Sequence, residues 1–275
     1  MKSIKQLLIA CLSLTLALSV LSFAPKAKAE TNDNLLSSKV IKRIKKAGVL
    51  KAGVKQDVPN FGYFSAETDS YEGMEIDIAR KIAKSLGVKV EFTPVTAQTR
   101  EAVIDNGQVD IVIGTYTITP ERQASYSFSN PYYTDEVGFL VNKASKYTSI
   151  KDMNGATIGV AQGSTTKGLI EEYAKANDLH FDYVQLGSYP ELAISLYSKR
   201  IQAFSVDKSI LSGYRSKKTE ILDQGFNTQS YGIASKQSNK ELTNYINNLL
   251  SDWSKDGSLT KIYQKYDLKP AKAEE

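Results

Sequence analysis

Short apolar strands alternate with amphipathic helices along this chain, and no other feature limits its fold as strongly. Leu36, Val40, Ile41 and Ile44 recur at helical spacing over residues 35–47, and Gly48 follows as a helix C-terminal glycine. Residues 49–54 read as a strand. Ile76, Ala79, Ile82, Ala83 and Leu86 then line one face of a second helix that stops at Gly87, and residues 88–92 form the next strand. That order is a β-α-β unit, the connection that parallel strands require. Residues 100–106 read as a short helix and 109–113 as a buried strand. A second set begins near Ala156 with strand 157–160, a polar turn at 163–166, helix 167–176 and a strand at 203–206. The extended segment 230–234 and the Leu- and Ile-rich helices over 242–253 and 259–266 close the chain. A chain that leaves one lobe, completes another and returns must cross between them twice. The expected architecture is therefore α/β with two lobes, each a mostly parallel sheet flanked by helices, joined by two hinge strands. Residues 34–131 plus 232–270 are assigned to lobe 1, 137–228 to lobe 2, and about 132–136 and 229–231 to the hinges.

The stretch "DIVIGTYTITPER" at residues 110–122 carries most of the chemistry. A buried parallel strand runs out into a polar loop, and in open α/β sheets ligands bind beyond the carboxyl ends of such strands. Thr115 and Thr117 place hydroxyls there. Thr119-Pro120-Glu121 reads as an N-cap, a first-position proline and an acidic first turn. Arg122 follows, with a planar fork that suits a carboxylate. In the second set, Gly163-Ser164-Thr165-Thr166 joins strand to helix and offers backbone N–H groups to an anion. It is not a phosphate-binding P-loop, because the Gly-Lys-Ser/Thr ending is absent. Asp207 ends a strand and reads either as a site residue or as the N-cap of the helix at 209–213.

Enzyme chemistry finds little support in the composition. His180, the only histidine, falls in a surface connection, and no Ser or Cys sits beside a plausible base. Neither a metal-ligand cluster nor a cofactor motif is evident.

Taken in order, "YEGMEIDIARKIAKSLG", "GQVDIVIGTYTITPERQASYSFSNPYY", "IGVAQGSTT" and "AFSVDKSIL" resemble the polar amino-acid solute-binding proteins of ABC importers, the family 3 extracellular solute-binding proteins. The resemblance runs from about Val49 to Leu268 and implies a type II periplasmic-binding-protein-like fold. It implies that Arg122 binds the ligand α-carboxylate and Asp207 the α-ammonium, with Thr115, Thr117, Ser164, Thr165 and the hinge residue Tyr231 completing the site. "GVKQDVP", "AQTR" and "TTK" further resemble the aspartate/glutamate-binding members, in which pattern Lys55 and Arg100 reach the distal carboxylate. Two such cations would lack partners against a neutral side chain, and buried unpaired charge is expensive. Ala97, near where glutamine binders tend to carry an aromatic, points the same way. The implied partners are L-glutamate or L-aspartate, with L-glutamine as the alternative, and ABC permease subunits. A monomer that binds no nucleic acid is expected. A dehydratase on the same fold using Glu67, Glu72 or Glu75, and a surface adhesin, are the other readings.

Export is expected from the first 29 residues. Lys2 and Lys5 precede an apolar run over 7–21, and Ala27-Lys28-Ala29 has the small-x-small form of a cleavage site. Leu8-Ile9-Ala10-Cys11 has the look of a lipobox, but too few apolar residues precede the cysteine. Removing this segment leaves 31 basic against 30 acidic residues, so the charge of the whole chain says little about nucleic acid or membranes. Cys11 is the only cysteine, and the mature chain depends on its apolar core rather than on disulfides.

Overall fold

In the computed structural model, which describes residues 32–271, Ser38 divides the first helical stretch in two. Helix α1 (Asn32–Leu36) ends before it, and α2 (Lys39–Ala47) begins after it, with the Ser38 side chain accepting a hydrogen bond from the Ile41 N–H. The apolar spacing alone concealed this break, because Leu35 before it and Val40, Ile41 and Ile44 after it enter one apolar core. The proposed signal peptide and lipobox lie outside the described residues.

Gly48 closes α2 in the left-handed conformation and leads into β1 (Val49–Val54). A small antiparallel meander follows, β2 (Asp57–Val58), β3 (Gly62–Ser65) and β4 (Ser70–Glu72). Next come α3 (Met74–Leu86), β5 (Lys89–Pro94), α4 (Arg100–Asp105), β6 (Ile111–Ile113), α5 (Pro120–Ser125) and β7 (Tyr126–Phe128). The ten-residue β8 (Tyr133–Asn142) enters the second lobe. There the order is β9 (Thr157–Ala161), α6 (Thr166–Ala176), β10 (Asp182–Leu186), α7 (Tyr189–Tyr197), β11 (Ala203–Asp207), α8 (Lys208–Ser212) and β12 (Thr219–Ile221). Strand β13 (Phe226–Tyr231) leads back to β14 (Ala234–Lys236), α9 (Lys240–Lys255) and α10 (Ser258–Lys265).

Each lobe is built on a mixed sheet. The first has the order β5-β1-β6-β14-β7, with β1 parallel to β5 and β6 and with β14 antiparallel to β6 and β7. In the second, β10, β9 and β11 run parallel, and β8 pairs antiparallel with β11, β12 and β13. Three parallel strands thus form one side of each sheet, and antiparallel strands extend it on the other side. The consequence for the site is positional. The carboxyl ends of β1, β5, β6, β9 and β11 run directly into the segments that carry Lys55, Arg100, Thr115, Ser164 and Asp207.

The two chain crossings lie side by side. Tyr133 pairs with Tyr231 in the β8–β13 ladder, and the Tyr132 N–H donates to the Tyr231 carbonyl. Their rings continue the contact: Tyr133 stacks on Tyr231 with centroids 5.9 Å apart, and Phe61 meets both edge-on at 5.3 and 6.0 Å. Aromatic pairs of this kind contribute about 0.5–1.5 kcal/mol beyond their burial. Phe61 is fully buried, so the meander of the first lobe is packed against the crossing strands.

Candidate functional site

Three cations come from the first lobe. Lys55, directly after β1, is only 1% exposed; its Nζ lies 3.9 Å from Asp57 Oδ1 and 4.6 Å from the ring centroid of Tyr189 in the second lobe. Burial lowers its pKa to about 8, Asp57 opposes the shift and Arg100 adds to it. Arg100 opens α4 and is buried. One guanidinium nitrogen donates to the Gly114 and Thr115 carbonyls at 3.3 and 3.1 Å, and the other to the Gly163 carbonyl at 3.3 Å. Arg122 sits in the first turn of α5, where Thr119 caps the helix as its sequence predicts. Its guanidinium donates to the Thr117 carbonyl at 2.9 Å and to the same Gly163 carbonyl at 3.1 Å, with Nε 3.7 Å from Glu101. Burial and the neighbouring Arg100 lower its pKa to about 10, so it is charged at neutral pH. Both guanidiniums lie over the Tyr116 ring, at 4.0 and 4.7 Å from its centroid, a cation–π arrangement that tolerates two like charges close together.

Facing them is the β9–α6 turn. Gly163 has φ +74°, and a Cβ there would come within 2.6 Å of the Ala97 carbonyl oxygen, so only glycine lets the two lobes approach at this point. The Ser164 hydroxyl donates back to the Ala161 carbonyl at 2.8 Å, and the Thr165 hydroxyl donates to Gln229 at 3.1 Å. Ser164 is thus engaged within its own lobe and Thr165 with the second crossing strand, while the Gly163 carbonyl faces the first lobe. Asp207 is buried at the end of β11 and accepts a hydrogen bond from the Tyr231 hydroxyl. It does not cap α8 with its side chain: the Ser209 N–H donates instead to Asp135, at 3.0 Å. Burial raises the pKa of both carboxyls, and Asp135 raises that of Asp207 further, while Arg100 and Arg122 offset part of the shift.

Thr115 occupies the left-handed region, with φ +46°, which is strained for a β-branched residue. Its N–H donates to Glu75 at 2.5 Å. Among the described residues, the buried Thr115 Oγ1, Arg100 Nε and Asp57 Oδ1 have no hydrogen-bond partner, the last lying 3.9 Å from Lys55 Nζ. Thr117 bridges to Tyr231 through the backbone and ties the cleft loop to the second crossing.

The fold thus gathers Lys55, Arg100, Thr115 and Arg122 on one side, with the Gly163 turn and Asp207 on the other. The two cations expected to reach an acidic side chain both face groups of this protein. Asp57 and the Tyr189 ring already face Lys55, and three backbone carbonyls take up Arg100. Tyr116, Tyr189, Asp57 and Asp135 went unread in the sequence. Only Asp57 carried a signal there, since residues i and i+2 of an extended segment share a face. Of the carboxylates weighed for catalysis, Glu67 and Glu72 are exposed and Glu75 is engaged by Thr115 and Tyr132. His180 is exposed, 3.9 Å from Asp182.

Comparison with known proteins agrees with this architecture. The sequence model of the bacterial extracellular solute-binding proteins, family 3, matches residues 50–269. A glutamine-binding protein of Geobacillus stearothermophilus is 35% identical over 80% of this chain and 84% of its own length. An ABC transporter glutamine-binding protein of Bacillus subtilis (strain 168) is 34% identical over 78% of this chain and 79% of its own. Among solved structures, an ancestral arginine-binding protein bound to glutamine superposes with a TM-score of 0.72 at 32% identity, covering 80% of this chain and 97% of that one. These relatives support the family and do not support the expected likeness to aspartate/glutamate-binding members in particular.

Proposed function

Because the chain belongs to the family 3 bacterial extracellular solute-binding proteins, and is thereby a transport component rather than an enzyme, we propose that it captures L-glutamine outside the cytoplasm and delivers it to the permease subunits of an ABC importer. One observation carries the choice of ligand: the cations set to meet the ligand side chain already face groups inside the protein, with Nε the unbonded nitrogen of Arg100. Lys55 has Asp57 and Tyr189, and Arg100 has the carbonyls of Gly114, Thr115 and Gly163. A neutral amide leaves that balance intact, whereas an added carboxylate would compete with it.

In this reading Arg122 holds the α-carboxylate and the backbone of the Gly163-Ser164-Thr165 turn assists it. Asp207 receives the α-ammonium, which relieves the cost of burying a carboxylate beside Asp135. Thr115 Oγ1 and Arg100 Nε are the buried groups left to bond the side-chain amide. Thr117 and Tyr231 brace the loop and the crossing strand. Contact with both lobes favours the closed form. Export through the segment 1–29 belongs to the same proposal.

A thermal-shift screen of the mature protein against the twenty amino acids tests the reading. A ligand at about 100 times its dissociation constant adds roughly 2.7 kcal/mol of stability. Glutamine should give the largest shift. No shift with any amino acid would contradict the proposal.

A further inference from the structure

Thr115 stands out because its backbone is strained while everything around it depends on that strain. The left-handed turn at φ +46° lets the consecutive carbonyls of Gly114 and Thr115 both accept from one nitrogen of Arg100. A β-branched residue does not adopt this conformation without external support. The support comes from Glu75, forty residues earlier, whose Oε1 accepts from the Thr115 N–H. The same oxygen accepts from the Tyr132 hydroxyl at 2.5 Å. Tyr132 in turn donates its N–H to Tyr231 and accepts from the Tyr263 hydroxyl, so it is fixed at the crossing strands.

The placement of Glu75 also has a local cause. Gly73 has φ +128°, and a Cβ there would lie 2.1 Å from the Phe61 carbonyl oxygen. This close approach presses the start of α3 against the meander and buries Glu75 completely. Its second oxygen has no hydrogen-bond partner among the described residues. Burial raises its pKa to about 7, against the opposing influence of its hydrogen bonds and of Lys55 and Arg100. A carboxylate so placed is costly, and its two hydrogen bonds join the cleft loop to the hinge.

We propose that Glu75 is a positioning residue: it holds Thr115 in the left-handed conformation that orients Arg100, and couples this turn through Tyr132 to the strands that cross between the lobes. The part concerning ligand rests on the amino-acid-binding reading above. The hold on the backbone does not.

A double-mutant cycle separates the two. Glycine takes positive φ without steric cost, so Thr115→Gly removes the need for support. In the Thr115 background, Glu75→Ala should weaken glutamine binding by about tenfold or more, and in the Thr115→Gly background by less than about twofold. Urea unfolding without ligand should show coupling of the same sign. Glu75→Gln, which keeps an acceptor for both donors, should bind within about threefold of the parent. Equal losses from Glu75→Ala in both backgrounds would overturn the proposal and leave Glu75 as an ordinary buried residue. If Glu75→Ala folds only when combined with Thr115→Gly, that rescue supports it, and failure to fold in both backgrounds contradicts it. If no amino acid binds the parent protein, the functional reading fails, while the coupling in unfolding still decides the role of Glu75.

Discussion

Three cations line the first lobe's side of the cleft, and each is braced by carbonyls, a carboxylate or a ring. The second lobe's side carries Asp207, whose companion Asp135 is of like sign. One face is a finished cationic cradle, and the other holds a carboxylate under electrostatic stress. In the proposed reading a zwitterion is matched to both, with its carboxylate at Arg122 and its ammonium at Asp207, so that the first lobe fixes the ligand's orientation and the second gains most from its arrival.

The largest test of this asymmetry is Arg122→Ala. The α-carboxylate is common to every amino acid, and removing one partner of a desolvated charge pair costs roughly 2–5 kcal/mol. Binding of all amino acids should weaken by at least about thirtyfold, with little change in ligand-free stability. Calorimetry reads the first and urea unfolding the second. Affinity close to that of the parent would place Arg122 outside the site.

Asp207→Asn should likewise abolish binding, but with the opposite signature in the free protein. Raised folded-state pKa values at Glu75, Asp135 and Asp207 mean that their contribution to stability is fully present at acid pH and is lost as pH rises from about 4 through about 7. Asparagine can still accept from Tyr231 and carries no charge. The variant should therefore melt higher than the parent at pH 8 and lose less stability between pH 5 and pH 8. A variant that melts lower at pH 8 would show that Asp207 is not under stress.

A smaller effect belongs to the rim. The Tyr214 hydroxyl of the second lobe donates to the Asp57 carbonyl of the first, and Gly213 lies so close to Pro59 that a Cβ would come within 2.9 Å of it. Tyr214→Phe removes one neutral hydrogen bond between the lobes, worth about 0.5–1.5 kcal/mol. Glutamine affinity should fall by about two- to tenfold, and calorimetry with unchanged affinity would show that closure draws nothing from this contact.

Much of this arrangement was legible in the sequence. Gly48 and Gly87 close their helices with φ of 69° and 72°, and Thr119 caps α5, because these signals are local. Lys55, Arg100, Thr115 and Arg122 converge because parallel strands deliver their carboxyl ends to one place. What stayed hidden was pairing across distance: Glu75 with Thr115, Asp135 rather than Asp207 at the start of α8, and two arginines over Tyr116. The acidic-ligand expectation counted the cations without the groups that face them, although Asp57 stands two residues from Lys55.

In the proposed reading, the cations that face the ligand's side chain are engaged by groups of the protein before that side chain arrives. Isothermal titration of the mature protein with L-glutamine and L-glutamate, at one pH and one salt concentration, tests it most directly. Glutamine should bind more tightly by at least about tenfold, or roughly 1.4 kcal/mol. Glutamate binding as tightly as glutamine, or more so, would contradict it and return Lys55 and Arg100 to the role of carboxylate ligands.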